Sequence, residues 1–138
     1  MNFVSATLSE YHIVMLGLEE LRPTEEINLD RAMSLSKAIS RDSVWTRPLL
    51  VELKHSLVMD GHHRLYCARQ LSLRKVPCIL LSYEDPRLSV TSWEDEASFD
   101  TNRIYEAGLS GKLLGFKSTR HRLDPQIPTC GIALHTLM

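Results

Sequence analysis

The chain has 138 residues, a hydrophobic content of 43%, a charged content of 24% and a formal net charge of −1. This length fits one domain with a buried core and no need of disulfides or structural metals, and the composition is typical of a soluble globular protein. The near-neutral charge disfavours a protein that depends on nucleic acid, because such proteins carry a basic stripe. The densest basic stretch, 117–122, is short and suits a small anion better.

The three cysteines, Cys67, Cys78 and Cys130, are odd in number and form no Cys-x-x-Cys motif, which predicts reduced thiols. The first ten residues lack the basic and apolar regions of a signal peptide. No stretch approaches the roughly 20 apolar residues of a membrane helix. We therefore expect a cytoplasmic protein without a membrane partner.

Hydrophobic patterning and turn residues predict the elements in chain order. The first half is predicted to hold a strand over 11–18, a turn over 21–27, a helix capped by Asn28, a polar loop over 41–48 and a hairpin of strands 48–53 and 56–59. The second half is predicted to hold a helix over 62–71, a buried strand over 76–83, a half-buried strand over 88–93, a helix over 100–109 and a loop or short extended piece over 113–123. The order indicates an α+β domain, with a small mixed β-sheet flanked by helices.

We expect one domain over 1–138, with its core at about 11–123, and assign no structure to 124–138, where Pro125, Pro128 and Gly131 interrupt the pattern.

In the first helix the spacing predicts one shared apolar face, formed by Leu29, Ala32, Met33 and Ile39. Trp45, in the polar loop, is either an aromatic lid or a packing anchor.

The richest local chemistry lies at Asp60-Gly61-His62-His63-Arg64, where a hydrophobic strand ends and a helix begins. The first turn of a helix has unpaired N–H groups and favours negative charge, so such an end can bind phosphate. Arginine adds a bidentate donor, whereas a carboxylate at Asp60 would repel phosphate unless it holds Mg²⁺ or accepts a proton. A helix cap at Asp60 and metal binding by the two histidines stay open as alternatives.

The segment Val58-Met59-Asp60-Gly61-His62-His63-Arg64 resembles the signature of the ParB/sulfiredoxin superfamily, in its free serine kinase branch. Three more segments match that branch in order: Leu21-Arg22-Pro23-Thr24-Glu25, Ser89-Val90-Thr91-Ser92-Trp93 and Lys117-Ser118-Thr119-Arg120-His121. The resemblance implies a ParB N-terminal/sulfiredoxin-like fold. It also implies a kinase that transfers a phosphoryl group from ATP or ADP to free L-serine, with Mg²⁺, giving O-phospho-L-serine.

Other branches of the superfamily fit less well. Sulfiredoxins carry a reactive cysteine where this chain has His62, so the thiolate that their chemistry requires is missing. Chromosome-partition proteins carry a Gly-Glu-Arg-Arg type segment and a helix-turn-helix domain, and neither is found here. Archaeal serine kinases have a long insert where this chain has only 94–116, so the resemblance is to a compact form.

The resemblance implies a role for each site residue. Glu25 would be the catalytic base and Asp60 a second catalytic carboxylate that also holds Mg²⁺. Gly61, His62, His63 and Arg64 would hold the phosphates. The amino acid would be bound by Trp93, Lys117, Thr119, Arg120 and His121. Alternate residues of an extended segment face one side, so Lys117, Thr119 and His121 are predicted to converge, with Arg120 facing away.

Purely structural roles stay open for these residues. Glu25 could be a solvated glutamate, 117–122 a basic surface loop and Trp93 a residue at the edge of the core.

At the level of function, the alternative is a non-enzymatic ParB-like regulator that senses a nucleotide or metabolite. A ParB-linked nuclease lacks a convincing metal-carboxylate cluster. We expect L-serine as the small-molecule partner and no nucleic acid. A homodimer, and threonine or homoserine as acceptor, stay open.

Overall fold

The computed structural model describes residues 11–138. The elements in chain order are β1 (Ile13–Gly17), α1 (Leu29–Asp42), β2 (Val44–Trp45), β3 (Leu49–Glu52), β4 (Val58–Asp60), α2 (His62–Gln70), β5 (Lys75–Leu81), β6 (Leu88–Ser92), α3 (Thr101–Ser110), β7 (Thr119–Leu123) and β8 (Ile132–Ala133). Short 3₁₀ turns follow β1 (Leu18–Glu20) and β8 (Leu134–Leu137). Among these residues no helix is both long and apolar enough to cross a membrane.

Four strands form the main sheet in the order β1-β5-β3-β4. Strand β5 pairs parallel with β3 and antiparallel with β1, and β3 pairs antiparallel with β4, so the sheet is mixed. Two further ribbons, β2 with β8 and β6 with β7, are antiparallel. The predicted α+β class with a mixed sheet and helices is confirmed.

The hairpin of β3 and β4 is held at its turn by a buried carboxylate. Glu52 is 1% exposed, accepts the His55 backbone N–H at 2.6 Å and accepts the Tyr105 hydroxyl at 3.1 Å. A buried polar group with such donors is far less costly than an unpaired one. This carboxylate ties α3 to the hairpin, and so to the strand that ends at Asp60.

Helix α1 begins where predicted, because the Asn28 side chain accepts the Arg31 N–H at 3.0 Å. Its predicted apolar face is only half right. Ala32 and Ile39 are buried, but Leu29 and Met33 are 53% and 44% exposed. The helix packs against α2 through a face that contains Ala32, the half-buried Leu35 and Ile39.

The end of the chain is part of the fold, which corrects the core boundary predicted at 123. Strand β8 pairs with β2, and Leu134 and Leu137 are buried in the same cluster as Trp45. Trp45 is fully buried and donates its indole N–H to the Arg47 carbonyl, so it is a packing anchor.

Candidate active site

The strand-to-helix junction at Gly61 forms the floor of the site. Gly61 has φ +109°, a conformation open to glycine and strained for other residues. A Cβ added there would lie 2.8 Å from Leu49 Cγ, so the turn has no space for one. Helix α2 therefore begins at His62, directly after β4, and its first N–H groups point away from the helix body without intrahelical partners.

A cleft of about 590 Å³ opens over this junction. Every site residue predicted from the sequence lines it: Glu25, Asp60, Gly61, His62, His63, Arg64, Trp93, Lys117, Thr119, Arg120 and His121. They come from four distant segments, which the sheet and the β6–β7 ribbon bring together. The convergence is observed, while the chemical role of each residue stays a prediction.

The cleft is strongly cationic although the whole chain has a net charge of −1. Six cationic side chains line it (Arg31, Arg47, Arg64, Lys117, Arg120 and Arg122), against two carboxylates, Glu25 and Asp60. A cleft with one dominant sign of charge concentrates ligands of the opposite sign. The arrangement suits an anion with several charges.

Glu25 holds in place the segment 117–121, which is predicted to bind the amino acid. Its carboxylate accepts the backbone N–H groups of Lys117 at 3.1 Å and Thr119 at 3.0 Å, and the Thr119 hydroxyl at 3.0 Å. Burial raises the pKa of Glu25 above its ordinary value, and these hydrogen bonds oppose the rise. A carboxylate with a raised pKa is a better proton acceptor.

Asp60 is exposed inside the cleft, at the end of β4. The surrounding walls remove enough water to raise its pKa, while the positive charges of Arg47 and Arg64 and the Gly61 N–H act in the opposite direction. Within residues 11–138 no group of three or more His, Cys, Asp or Glu side chains is arranged to hold a metal ion. A cation at Asp60 would therefore need ligand oxygens from a bound phosphate, which is how Mg²⁺ is commonly held.

The two adjacent histidines both accept hydrogen bonds from the backbone of the segment 24–28. His62 Nε2 accepts the Thr24 N–H at 3.0 Å, and His63 Nε2 accepts the Asn28 N–H at 3.0 Å. Burial lowers the pKa of His62 to about 3, so its ring is neutral. The role of His62 in holding a phosphate stays a prediction, and a neutral ring could serve it only through hydrogen bonds.

Two buried nitrogens in the cleft have no protein partner among the described residues, Arg64 Nη1 and His121 Nδ1. Buried polar atoms are nearly always hydrogen-bonded, and exceptions call for an explanation. Both atoms belong to residues that line the cleft. A bound anion that accepts from both would satisfy them.

The segment 117–121 differs from the predicted extended geometry. Lys117 has φ +58°, and the extended strand begins only at Thr119. Arg120 was predicted to face away but also lines the cleft, with its guanidinium 4.5 Å from the Trp93 ring centroid. The Lys117 ammonium is 5.2 Å from the same centroid, so Trp93, which is 42% exposed, contacts both cations.

Several residues of the cleft were not predicted from the sequence, chiefly Arg31, Arg47, Phe116 and Arg122. Arg47 could have been predicted from the β3–β4 hairpin. Leu50 of β3 pairs with Asp60, so the residues just before β3 must lie near Gly61. Arg31 and Phe116 are 5.8 Å apart, guanidinium carbon to ring centroid, and no local pattern predicts that contact.

No family model matches the chain, but individual proteins do. It is 26% identical over 117 residues to a ParB-like protein of Sulfolobus acidocaldarius, a match that covers 80% of this chain and 58% of that protein. It is 30% identical over 97 residues to an ATP-dependent L-serine kinase of Staphylothermus marinus, covering 67% and 38%. An ADP-dependent L-serine kinase of Thermococcus kodakarensis is 22% identical over 97 residues, covering 67% and 40%. The chain thus spans about half the length of these relatives.

A solved structure of a free serine kinase in complex with AMP has the same fold, with a TM-score of 0.81 over 91% of this chain and 93% of that chain, at 12% identity. The fold is therefore that of the free serine kinases. The sequence matches add that the chain is related to the L-serine kinases and to a ParB-like protein. The family resemblance inferred from the motifs is confirmed.

Proposed function

We propose that this protein is a free L-serine kinase, which transfers a phosphoryl group from ATP or ADP to the serine hydroxyl and releases O-phospho-L-serine. The observation that carries the proposal is the joint presence, in one cationic cleft, of a helix N-terminus and two carboxylates. Those carboxylates would repel an anion, so they are not expected in a site that only binds one. The relatives named as ATP-dependent and ADP-dependent L-serine kinases support the same reaction and leave both donors open.

The phosphate groups would bind at the beginning of α2. Backbone N–H groups in the first turn of α2, beginning with His62, would donate to phosphate oxygens, and the unpaired Arg64 Nη1 would donate as well. Arg47 adds a second guanidinium close to Asp60. Phosphoryl transfer depends on placing and neutralising such charges, and Mg²⁺ held by Asp60 would neutralise more of the negative charge on the phosphates.

The amino acid would bind at the opposite wall. Lys117, Thr119 and His121 supply a positive charge and hydrogen-bonding groups beside Glu25. Glu25 would take the hydroxyl proton as the serine oxygen attacks the transferred phosphorus, with the bond to the leaving phosphate oxygen breaking on the far side. Because ATP and ADP are cytoplasmic metabolites, this proposal also places the protein in the cytoplasm.

The reaction is tested directly by incubating the purified chain with L-serine, Mg²⁺ and either ATP or ADP, and following phosphoserine by ³¹P NMR. L-threonine and L-homoserine in place of L-serine test the acceptor. We expect phosphoserine with at least one nucleotide, and none when Mg²⁺ is chelated. If neither nucleotide yields phosphoserine while calorimetry shows nucleotide binding, the chain is a nucleotide-sensing regulator instead.

A further inference from the structure

A phenol lies behind His121, outside the wall of the cleft. The Tyr83 hydroxyl oxygen is 3.0 Å from His121 Nε2, and the two ring centroids are 5.7 Å apart. His121 lines the cleft, whereas Tyr83 is not among its lining residues. Any effect of Tyr83 on a ligand in the cleft therefore passes through the imidazole.

The protonation of both rings follows from their surroundings. Burial lowers the pKa of His121 to about 4, so the imidazole is neutral and carries one proton, on Nδ1 or on Nε2. Burial, and then the neighbouring Tyr105 and Glu52, raise the pKa of Tyr83 above its ordinary value, so the phenol keeps its proton. A protonated, half-buried phenol needs an acceptor.

Counting satisfied groups selects one tautomer. Within the described chain, His121 Nε2 is the one hydrogen-bond partner of the Tyr83 hydroxyl, and His121 Nδ1 is buried with no partner. If Nε2 accepts from Tyr83, only the Nδ1–H donor is unsatisfied. If Nε2 held the proton, two groups would be unsatisfied: the phenol proton would have no acceptor, and Nδ1 would have no donor. Since each buried unpaired group destabilises the fold, the first arrangement is favoured.

The other two histidines of the cleft have the same arrangement. His62 Nε2 accepts from the Thr24 backbone N–H, and His63 Nε2 accepts from the Asn28 backbone N–H. A backbone N–H can only donate, so a neutral ring in either place must carry its proton on Nδ1. At His121 a phenol takes the place of the backbone donor, and side-chain replacement can remove it.

We propose that Tyr83 is a positioning residue that holds His121 in the Nδ1–H tautomer, so that this N–H donates to the α-carboxylate of the amino-acid substrate. The identity of that ligand rests on the proposed function. In the opposite tautomer the bare Nδ1 would accept from the substrate ammonium group instead. The tautomer therefore decides which end of the amino acid faces His121.

The tautomer is measured on the free wild-type protein by long-range ¹H–¹⁵N NMR, with the His121 signals identified by their absence from His121→Gln. We expect a protonated Nδ1 at neutral pH, and a change in its proton shift when L-serine is added. Tyr83→Phe keeps the ring and removes the hydroxyl, and it should give a mixture of both tautomers. A predominantly protonated Nε2 in the wild-type protein overturns the proposal.

The kinetic effect is tested with Tyr83→Phe against Tyr105→Phe. Tyr105 contacts the Tyr83 ring and donates to Glu52, but its hydroxyl does not bond to His121, so it is a matched control. We expect Tyr83→Phe to raise the KM for L-serine about fivefold, as a weakened hydrogen bond to a charged group would, with an unchanged KM for the nucleotide. Tyr105→Phe should keep both the tautomer and the KM for serine. Wild-type tautomer and KM in Tyr83→Phe would refute the positioning role.

The two proposals fail in different ways. If no phosphoserine forms, but the free protein has a protonated Nδ1 and Tyr83→Phe gives a mixture of both tautomers, the kinase function fails and the role of Tyr83 in setting the tautomer is supported. If phosphoserine forms but L-serine leaves the Nδ1 proton shift unchanged, the assignment of the carboxylate to His121 is overturned.

Discussion

At the scale of single residues, Glu25 is predicted to be the base and also holds the segment 117–119 in place. Its carboxylate accepts two backbone N–H groups and the Thr119 hydroxyl from that segment. A base that also positions the substrate-binding segment would keep a constant distance between its carboxylate and the substrate hydroxyl. Substitutions at Glu25 are therefore expected to affect both turnover and substrate binding.

Replacing Glu25 with glutamine should lower kcat by about 100-fold or more, because an amide cannot take the serine proton. The KM for serine should rise as well, since the amide has one acceptor oxygen for three donors. Nucleotide affinity should stay within about twofold, because the proposed phosphate site is the N-terminus of α2 and not Glu25. The neighbouring Glu26 is exposed, and Glu26→Gln is the control. Steady-state kinetics on both variants decide, and a Glu25→Gln variant with wild-type kcat would contradict the assignment.

The raised pKa of Glu25 predicts the pH dependence of the reaction. The base must be deprotonated to act, so kcat/KM should fall as pH decreases through the pKa of Glu25. Because burial raises that pKa from 4.5, the acid limb should lie above pH 4.5. A pH–rate profile of the wild-type protein measures it, and a rate that stays constant down to pH 4.5 would argue against Glu25 as the base.

At the scale of elements, the junction between β4 and α2 forms the proposed phosphate site. The hairpin aims β4 at the cleft, Gly61 reverses the chain without a side chain, and α2 presents its N-terminus at once. Leu49, on the neighbouring strand, closes the space beneath Gly61. Local backbone geometry and sheet packing thus both require glycine at this position.

A series of Gly→Ala substitutions separates the two effects. Gly131→Ala has neither positive φ nor a close contact and should change the free energy of unfolding by less than about 0.5 kcal/mol. Gly111→Ala, at φ +80° with open space around it, should destabilise by about 1 kcal/mol. Gly61→Ala combines strain with a 2.8 Å clash and should cost about 3 kcal/mol. Urea denaturation measures all three, and equal values for Gly111 and Gly61 would show that Leu49 yields freely.

At the scale of the whole molecule, the last residues complete the core under the site. Strand β8 pairs with β2, and Leu137 is 1% exposed within the cluster that contains Trp45 and Leu65. Leu65 belongs to α2, the helix that begins at His62. The C-terminal segment therefore supports the helix whose N-terminus faces the cleft.

Leu137→Ala should destabilise the protein by about 3 kcal/mol, because it leaves a cavity in this cluster. Met138→Ala is the matched control, since Met138 is 56% exposed, and its effect should be below about 0.5 kcal/mol. Chemical denaturation followed by circular dichroism measures both. A Leu137→Ala variant as stable as Met138→Ala would show that the end of the chain does not contribute to the core.

Features set by neighbouring residues were predictable from the sequence. The β3–β4 hairpin, the Asn28 cap and the Asp60-Gly61 junction depend on local backbone preferences and alternating hydrophobicity, and all three are found. The family resemblance predicted more of the site than the local patterns did, because its motifs come from separate segments that form the site together.

Features that join distant segments were decided only by the tertiary structure. Apolar spacing in α1 did not say which side α2 covers, so Leu29 and Met33 were misplaced. Tyr83 and His121 are 38 positions apart, and their hydrogen bond exists because the sheet and the β6–β7 ribbon meet there. Hydrophobic patterning sets which elements form, whereas side-chain partners, burial and therefore proton positions depend on how those elements pack.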